Sequence, residues 1–387
     1  MKRVPLDKYC EKKIETLQKN YIGLIDYIDI SAVDNEEKRI ISYQTIDSKD
    51  APSRAKQLIK KNDILVSTVR PNLNAVAVIE NETDNLMVAS TGYCVLRCKD
   101  DADVRYMFNF CQSPYFIDDM TTQATGASYP AVSASIVKSS LIPCYSIGEQ
   151  HEIANKIDTV SNLIALRKQQ LSKLNELVKS RFIEMFGDLV IGNKISSNKH
   201  KIGDIASVTK LAGFEFTKYI RYKEQGDIIM LRGLNCKKGH LVLDDIKWID
   251  KETSDLLPRS KLYYGDILMT YAGTIGDVAM VDADNKYHLA PNVAKITSTD
   301  KIAYNPIFLI HLFMYTNDYI MTFASVVAQA SINMEKIRNF EYYFPSAEQQ
   351  NEFATFVEQT DKSKSKIQKS LEKLETLKKA LMQKYFG

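Results

Sequence analysis

No apolar run in this 387-residue chain approaches the roughly 20 residues that a membrane-spanning helix requires. The start, Met1-Lys2-Arg3-Val4-Pro5, leads into charged residues instead of the apolar stretch of a secretory leader, so a cytoplasmic protein is expected. Cysteine is sparse. The six residues, Cys10, Cys94, Cys98, Cys111, Cys144 and Cys236, include no Cys-x-x-Cys pair, which argues against a disulfide framework and a structural zinc site. A one-sided charge is lacking too: 51 Lys and Arg face 48 Asp and Glu, a net +3, so charge alone does not point to nucleic acid.

Catalytic signatures are also missing. No G-x-x-x-x-G-K-[ST] occurs, so this chain is not expected to hydrolyse ATP. A methyltransferase gripping a flipped adenine would need D/N-P-P-aromatic, and the nearest string, Asn305-Pro306-Ile307-Phe308, lacks the second proline and reads as a helix start. His151-Glu152 opens like H-E-x-x-H, but position 155 is Asn. Glu-x-Lys occurs at Glu11-Lys12-Lys13 and Glu36-Glu37-Lys38, a pattern too common to mark a nuclease. No catalytic residue, metal ligand or bound cofactor is therefore assigned to this chain.

What is present is duplication. The composition, 45% hydrophobic and 26% charged, suits two or more packed domains. EQHEIA at 149 to 154 is mirrored by EQQNEFA at 348 to 354, and from Glu152 and Glu352 onward the copies keep an offset of 200, ending in Phe186-Gly187 and Phe386-Gly387. Upstream, SLIP at 140 to 143 matches YYFP at 342 to 345, GASYPAVS at 126 to 133 loosely matches QASINME at 329 to 335, and DILVSTVRP at 63 to 71 matches DILMTYAGT at 266 to 274. Chance similarity would not keep these in order.

Each copy ends in a heptad pattern without proline or interior glycine. Steps of four and three pick out Ile153, Ile157, Val160, Ile164, Arg167, Leu171, Leu174, Val178, Arg181 and Met185 in the first. In the second they pick out Phe353, Val357, Thr360, Lys364, Ile367, Leu371, Leu374, Lys378, Leu381 and Tyr385. The apolar members form the expected coiled-coil interface, and Gly187 and Gly387 read as C-caps. The globular segments read as short strands, at 63 to 69, 75 to 79, 266 to 271 and 278 to 281, with helix starts at Ser113-Pro114 and Asn305-Pro306. The expected fold class is α+β: domain 1 over 1–148, a helix over 149–187, domain 2 over 188–347 and a helix over 348–387. If each domain sits where its own helix begins, the helices pair antiparallel about a pseudo-twofold axis, with about 58 Å of helix as a ruler. Double-helical DNA, with its own local twofolds and repeat, fits such a ruler.

The order of these features, an α+β domain, Gly126-Ala127-Ser128-Tyr129, Ile142-Pro143, Glu149-Gln150 and a coiled coil, all twice over, resembles the specificity subunits of type I restriction-modification systems. The resemblance spans the chain. It implies two target-recognition domains reading a bipartite, asymmetric double-stranded DNA target. It also implies two methyltransferase subunits using S-adenosylmethionine, and restriction/translocase subunits using ATP and Mg²⁺. Two departures stand out. Gly273-Thr274-Ile275-Gly276 follows the strand in the second copy where the first has Arg70-Pro71-Asn72-Leu73-Asn74, and Gln329-Ala330-Ser331-Ile332-Asn333 lacks the family's usual glycine.

Candidate DNA contacts follow from side-chain chemistry. Arg70 and Arg232 suit guanine, Asn72, Asn74, Asn292 and Gln329 suit adenine, and Thr91, Ser128 and Thr274 suit phosphate or base edges. Ser67, Tyr93, Tyr129, Tyr271, Ser331 and Asn333 lie in the same loops, and Arg54, Lys56, Arg259 and Lys261 precede the matched strands as candidate phosphate contacts. Two other readings fit less of the pattern: a coiled-coil scaffold with two protein-binding domains, and a stand-alone nuclease.

Overall fold

The heptad stretches form two helices of 40 residues each, Ile147–Phe186 and Ala347–Phe386, about 60 Å long at about 1.5 Å per residue. The computed structural model describes residues 2–192, 194, 198–299, 304–325 and 330–387. Both helices open with a capping box. Glu149 Oε2 accepts from the Ser146 N–H and hydroxyl at 2.8 and 2.7 Å, which holds its carboxyl below the usual range. Gln349 Oε1 plays the same part with Ser346 at 3.2 and 3.3 Å.

The chain divides into two compact units, Met1–Gln169 with Gln368–Gly387, and Gln170–Ile367. Each unit thus holds the start of one long helix and the end of the other, and the two run antiparallel. In the first unit Ile153, Ala154 and Ile157 share a buried cluster with Met382 and Phe386. The Phe386 ring lies 5.3 Å from Tyr106 and 5.7 Å from Phe110. Arg3 donates to the carbonyls of Phe386 and Gly387 at 2.9 and 2.7 Å, a cation at the negative end of the helix. In the second unit Val178, Phe182 and Phe186 share a cluster with Phe353 and Val357. Phe353 stands 5.3 Å from Phe182 and 5.6 Å from Phe186, and Arg181 pairs with Glu352 at 2.8 Å.

Burial along the seam is uneven. Ile153, Ile157, Val160, Val178, Phe353, Val357 and Leu371 are buried, whereas Ile164, Leu171, Leu174, Met185, Ile367, Leu374 and Leu381 are half-buried. Two helices alone cover only one side of most seam residues; Ile153, Ile157, Val178, Phe353 and Val357 are buried where a domain closes over them, while Val160 and Leu371 are buried outside the domain cores. Where the domains close, the stripe widens to include Phe182, Phe186, Met382 and Phe386, which lie off the three-four stepping.

Both globular domains follow one α+β plan. In the first, Leu24–Ile28 pairs parallel with Leu86–Ser90, flanked by Gln44–Asp47 and Ala55–Leu58. A second sheet sets Ile64–Ser67 between Tyr93–Leu96 and Val76–Val78, all antiparallel. In the second domain Ile228–Leu231 pairs parallel with Tyr287–Leu289, between Lys247–Ile249 and Lys261–Leu262. Ile267–Thr270 lies between Val278–Met280 and Val293–Ser298, to which Ala206–Lys210 adds an edge. The central strands Ile64–Ser67 and Ile267–Thr270 are buried throughout, as their apolar letters require. The helices Pro114–Gln123 and Pro306–Tyr315 start at the capping side chains of Ser113 and Asn305. No helix among the described residues is long and apolar enough to cross a membrane.

Glutamine joins domain to helix in both copies. Gln150 Oε1 accepts from the Asp103 N–H at 3.0 Å while its amide donates to Tyr145 O at 3.1 Å, and the side chain is buried. Gln350 repeats this with Asn305 N–H and Pro345 O, both at 2.9 Å. Asp103 and Asn305 are themselves the N-caps of Val104–Phe110 and Pro306–Tyr315, so each glutamine fastens a cap to a long helix. The glutamine of the repeated Glu-Gln signature is thus a structural joint.

Candidate nucleic-acid interface

The strand Ile64–Ser67 feeds a loop that the backbone draws against two others. The Thr68 N–H donates to Gly92 O and its carbonyl accepts from Val132 N–H, both at 2.9 Å, while Arg70 N–H reaches Pro130 O at 2.7 Å. Thr91 N–H donates to Arg54 O at 2.9 Å. Loops 67 to 75, 90 to 93 and 125 to 130 therefore converge, with Arg54 beside them. Their exposed members include Arg70, Asn72, Thr91, Ser128 and Tyr129, and Arg54 and Lys56 are exposed beside them.

Arg70 is the most constrained of these. Its backbone is left-handed, at φ 49° and ψ 60°, ahead of a 3₁₀ turn at Pro71–Leu73. Such a conformation costs a non-glycine residue about 1–2 kcal/mol and persists only where the surroundings enforce it. Its guanidinium stacks 4.8 Å from the centre of the Tyr129 ring, which is 69% exposed. Gly126, at φ 104°, makes the turn that presents Tyr129, and a Cβ there would press against the Tyr129 carbonyl at 3.0 Å. The result is a fixed fork of donors at the surface.

Three candidates of the first domain are spoken for internally. Asn74 is buried, donates to Cys111 O at 2.8 Å and accepts from Lys38 Nζ through its side-chain and main-chain oxygens, so it is a joint and not an adenine reader. Tyr93 is a core residue whose hydroxyl donates to the Asp29 and Ile30 carbonyls. Ser67 is buried and donates to Val69 O at 3.0 Å.

The second domain repeats the convergence. Tyr271 N–H donates to Asn292 O at 3.0 Å and its carbonyl accepts from Ile332 N–H at 2.8 Å. Ala272 bridges Ser331 as Val69 bridges Ala131. Around this junction lies an open cavity of about 520 Å³ walled by Tyr222, Arg232, Thr270, Gly273, Asp277 and Asn292 among others. Thr274 and Asn292 are exposed on its rim, Asn292 in the left-handed region at φ 66°, while Tyr271 and Ser331 are half-buried.

Here too some candidates are committed elsewhere. Arg232 donates from one nitrogen, Nη2, to the Asp245 carbonyl at 2.8 Å and to its carboxylate at 2.9 Å, which holds the guanidinium against Asp245. Lys261 pairs with Asp255, which raises its pKa, and Arg259 is exposed outside the cavity wall. Asn333 caps the helix Met334–Arg338, accepting from Lys336 N–H at 2.8 Å. Gln329 lies outside the described residues. The cavity's aromatic wall, Phe216 and Tyr222, and its carboxylate, Asp277, carry no repeat signal and are not legible in the sequence.

Two curated relatives are similar over much of the chain. The EcoBI type I restriction enzyme specificity subunit of Escherichia coli is 22% identical over 321 residues, 76% of this chain and 67% of that protein. The MjaVIII specificity subunit of Methanocaldococcus jannaschii is 23% identical over 277 residues, 68% of this chain and 65% of that protein. Among solved structures, a chain from work on complex assembly and conformational transition of the type I R-M system has a TM-score of 0.64 at 22% identity. It covers 100% of this chain and 97% of its own. The S subunit of a type I restriction-modification system from M. genitalium has a TM-score of 0.59 at 14% identity, covering 100% and 96%, and both likenesses concern the fold. The model of the type I restriction modification DNA specificity domain matches residues 7–176 and again 196–378, and the chain belongs to that family.

Proposed function

We propose that this chain is a non-catalytic reader of a split, asymmetric DNA target, each half read by one domain, within a type I restriction-modification complex. One observation carries the reading: both domains build the same convergence of loops on the same buried strand, yet arm it with different side chains. A scaffold held constant while its exposed residues vary is what two independent readers require. Arg70, Asn72, Ser128 and Tyr129 supply the first reader, and Thr274 and Asn292 the rim of the second. Arg54 and Lys56 suit phosphate.

The long helices, joined to their domains through Gln150 and Gln350, serve as spacers on which two methyltransferase subunits dock, with the restriction/translocase subunits beyond. S-adenosylmethionine, ATP and Mg²⁺ belong to those partners. The test is direct: the purified chain alone is expected to bind its target duplex and, given Mg²⁺, ATP and S-adenosylmethionine, neither cut nor methylate it. Cleavage or methylation by the isolated chain would overturn the assignment.

A further inference from the structure

We propose that Asp277 reads a cytosine in the second half-site, accepting a hydrogen bond from the base's exocyclic amine in the major groove. This rests on the reading that the second domain's cavity faces DNA.

Asp277 lines that cavity, and among the described residues its carboxylate makes no hydrogen bond or ion pair. Its backbone, by contrast, is held firmly. The Asp277 N–H donates to Thr270 Oγ1 at 3.0 Å and its carbonyl accepts from Thr270 N–H at 2.9 Å, closing the loop 271 to 276. Gly276 precedes it at φ 84°, tight against the Asn317 side chain, where any Cβ would collide. The position is thus fixed while the acid is left unpartnered. Burial raises its pKa, and Lys237 and Lys238 pull the other way. Arg232 and Lys237 stand on the same wall, so the acid sits in a cavity that carries more positive than negative side chains.

An unpaired carboxylate beside nucleic acid is a cost unless it is used, because it repels phosphate. What it can do is choose among base edges. It has acceptors only, so it is repelled by the N7 and O6 of guanine and the O4 of thymine. Adenine offers an amine but sets N7 beside it, whereas cytosine presents its amine alone. Cytosine is the base whose own major-groove edge offers the carboxylate a donor and no acceptor, the paired guanine's O6 lying across the pair as thymine's O4 does beside adenine, and the repulsion of the other edges adds to specificity.

The experiment expresses the full chain with its methyltransferase partner and maps methylated adenines across a genome for wild type, Asp277→Ala and the near-isosteric Asp277→Asn. Wild type is expected to mark a split motif with a C·G pair in one half. Both variants should still methylate, with discrimination at that one position reduced about tenfold or more and every other position unchanged. A split motif unaltered by either substitution overturns the role of Asp277 alone, as does a uniform weakening at all positions. A wild type that marks no split motif overturns the DNA-reading assignment itself.

Discussion

The loop after the central strand is built differently in the two domains. In the first domain it closes where Ser67 N–H meets Ala75 O, in the second where Thr270 N–H meets Asp277 O, one residue sooner. The first is stiffened by Arg70, Pro71 and Asn74, with Arg70 and Asn74 forced left-handed at φ 49° and 48°. The second meets the same need with Gly273 and Gly276 at φ 83° and 84°. Both are wedged against a helix end, Asn74 by its bond to Cys111 O and Gly276 by close approach to Asn317. Core contacts set where the loop goes, and its local chemistry decides what it shows to solvent. Two half-sites can then diverge on one scaffold.

The comparison predicts that the scaffold is costly to alter in either domain. Phe186 and Phe386, both fully buried, end the long helices in the second and first units. Phe186→Ala and Phe386→Ala should each cost about 3–5 kcal/mol in urea unfolding. Hydrogen exchange should place the loss in the second unit for Phe186→Ala and the first for Phe386→Ala. A loss below about 1 kcal/mol in either would break the equivalence of the two ends.

The glutamine joints come next. Gln150→Leu and Gln350→Leu each remove the acceptor for a helix N-cap N–H, of Asp103 and Asn305, at an expected cost of about 1–3 kcal/mol. Similar losses from both are required if the joint is one device used twice, and calorimetry on the two variants checks it.

A difference between the joints sharpens the contrast. On the helix that Gln150 fastens, Asn109 donates to Asp158 at 2.9 Å, with Arg105 on the same carboxylate at 2.8 Å. On the corresponding helix of the second domain stands His311, packed 5.3 Å from Phe353, its Nδ1 at 2.8 Å from Ile307 O. Burial lowers the His311 pKa to about 4, the Ile307 carbonyl and Asp361 raising it and Lys364 and His240 lowering it. Below its ordinary 6.5 the unfolded chain takes up a proton that the folded chain refuses until about pH 4, so stability falls as pH drops through that window. The second unit should therefore lose stability between pH 6.5 and 4, and His311→Gln should flatten that limb of a melting-temperature profile. An identical slope in the variant would remove His311 from the account.

The long helices, the buried strands and the N-caps Ser113 and Asn305 are legible in the sequence because heptad spacing, apolar runs and cap-proline pairs are local signals. Phe182, Phe186, Met382 and Phe386 are not, since they are buried by a domain folding over the helix and lie outside the seam. Loop polarity misleads for a related reason: Ser67, Asn74, Tyr93 and Asn333 carry the right chemistry for DNA but spend it on internal hydrogen bonds. Arg70 differs in that its stacking on Tyr129 leaves the guanidinium at the surface.

The central claim is that each domain reads its own half of the target. Residues 1–148 are exchanged for the matching domain of a relative, the chimera is expressed with its methyltransferase partner, and methylated adenines are mapped genome-wide. One half of the split motif should change to the relative's and the other stay as it is; a change in both halves, or in neither, would contradict it.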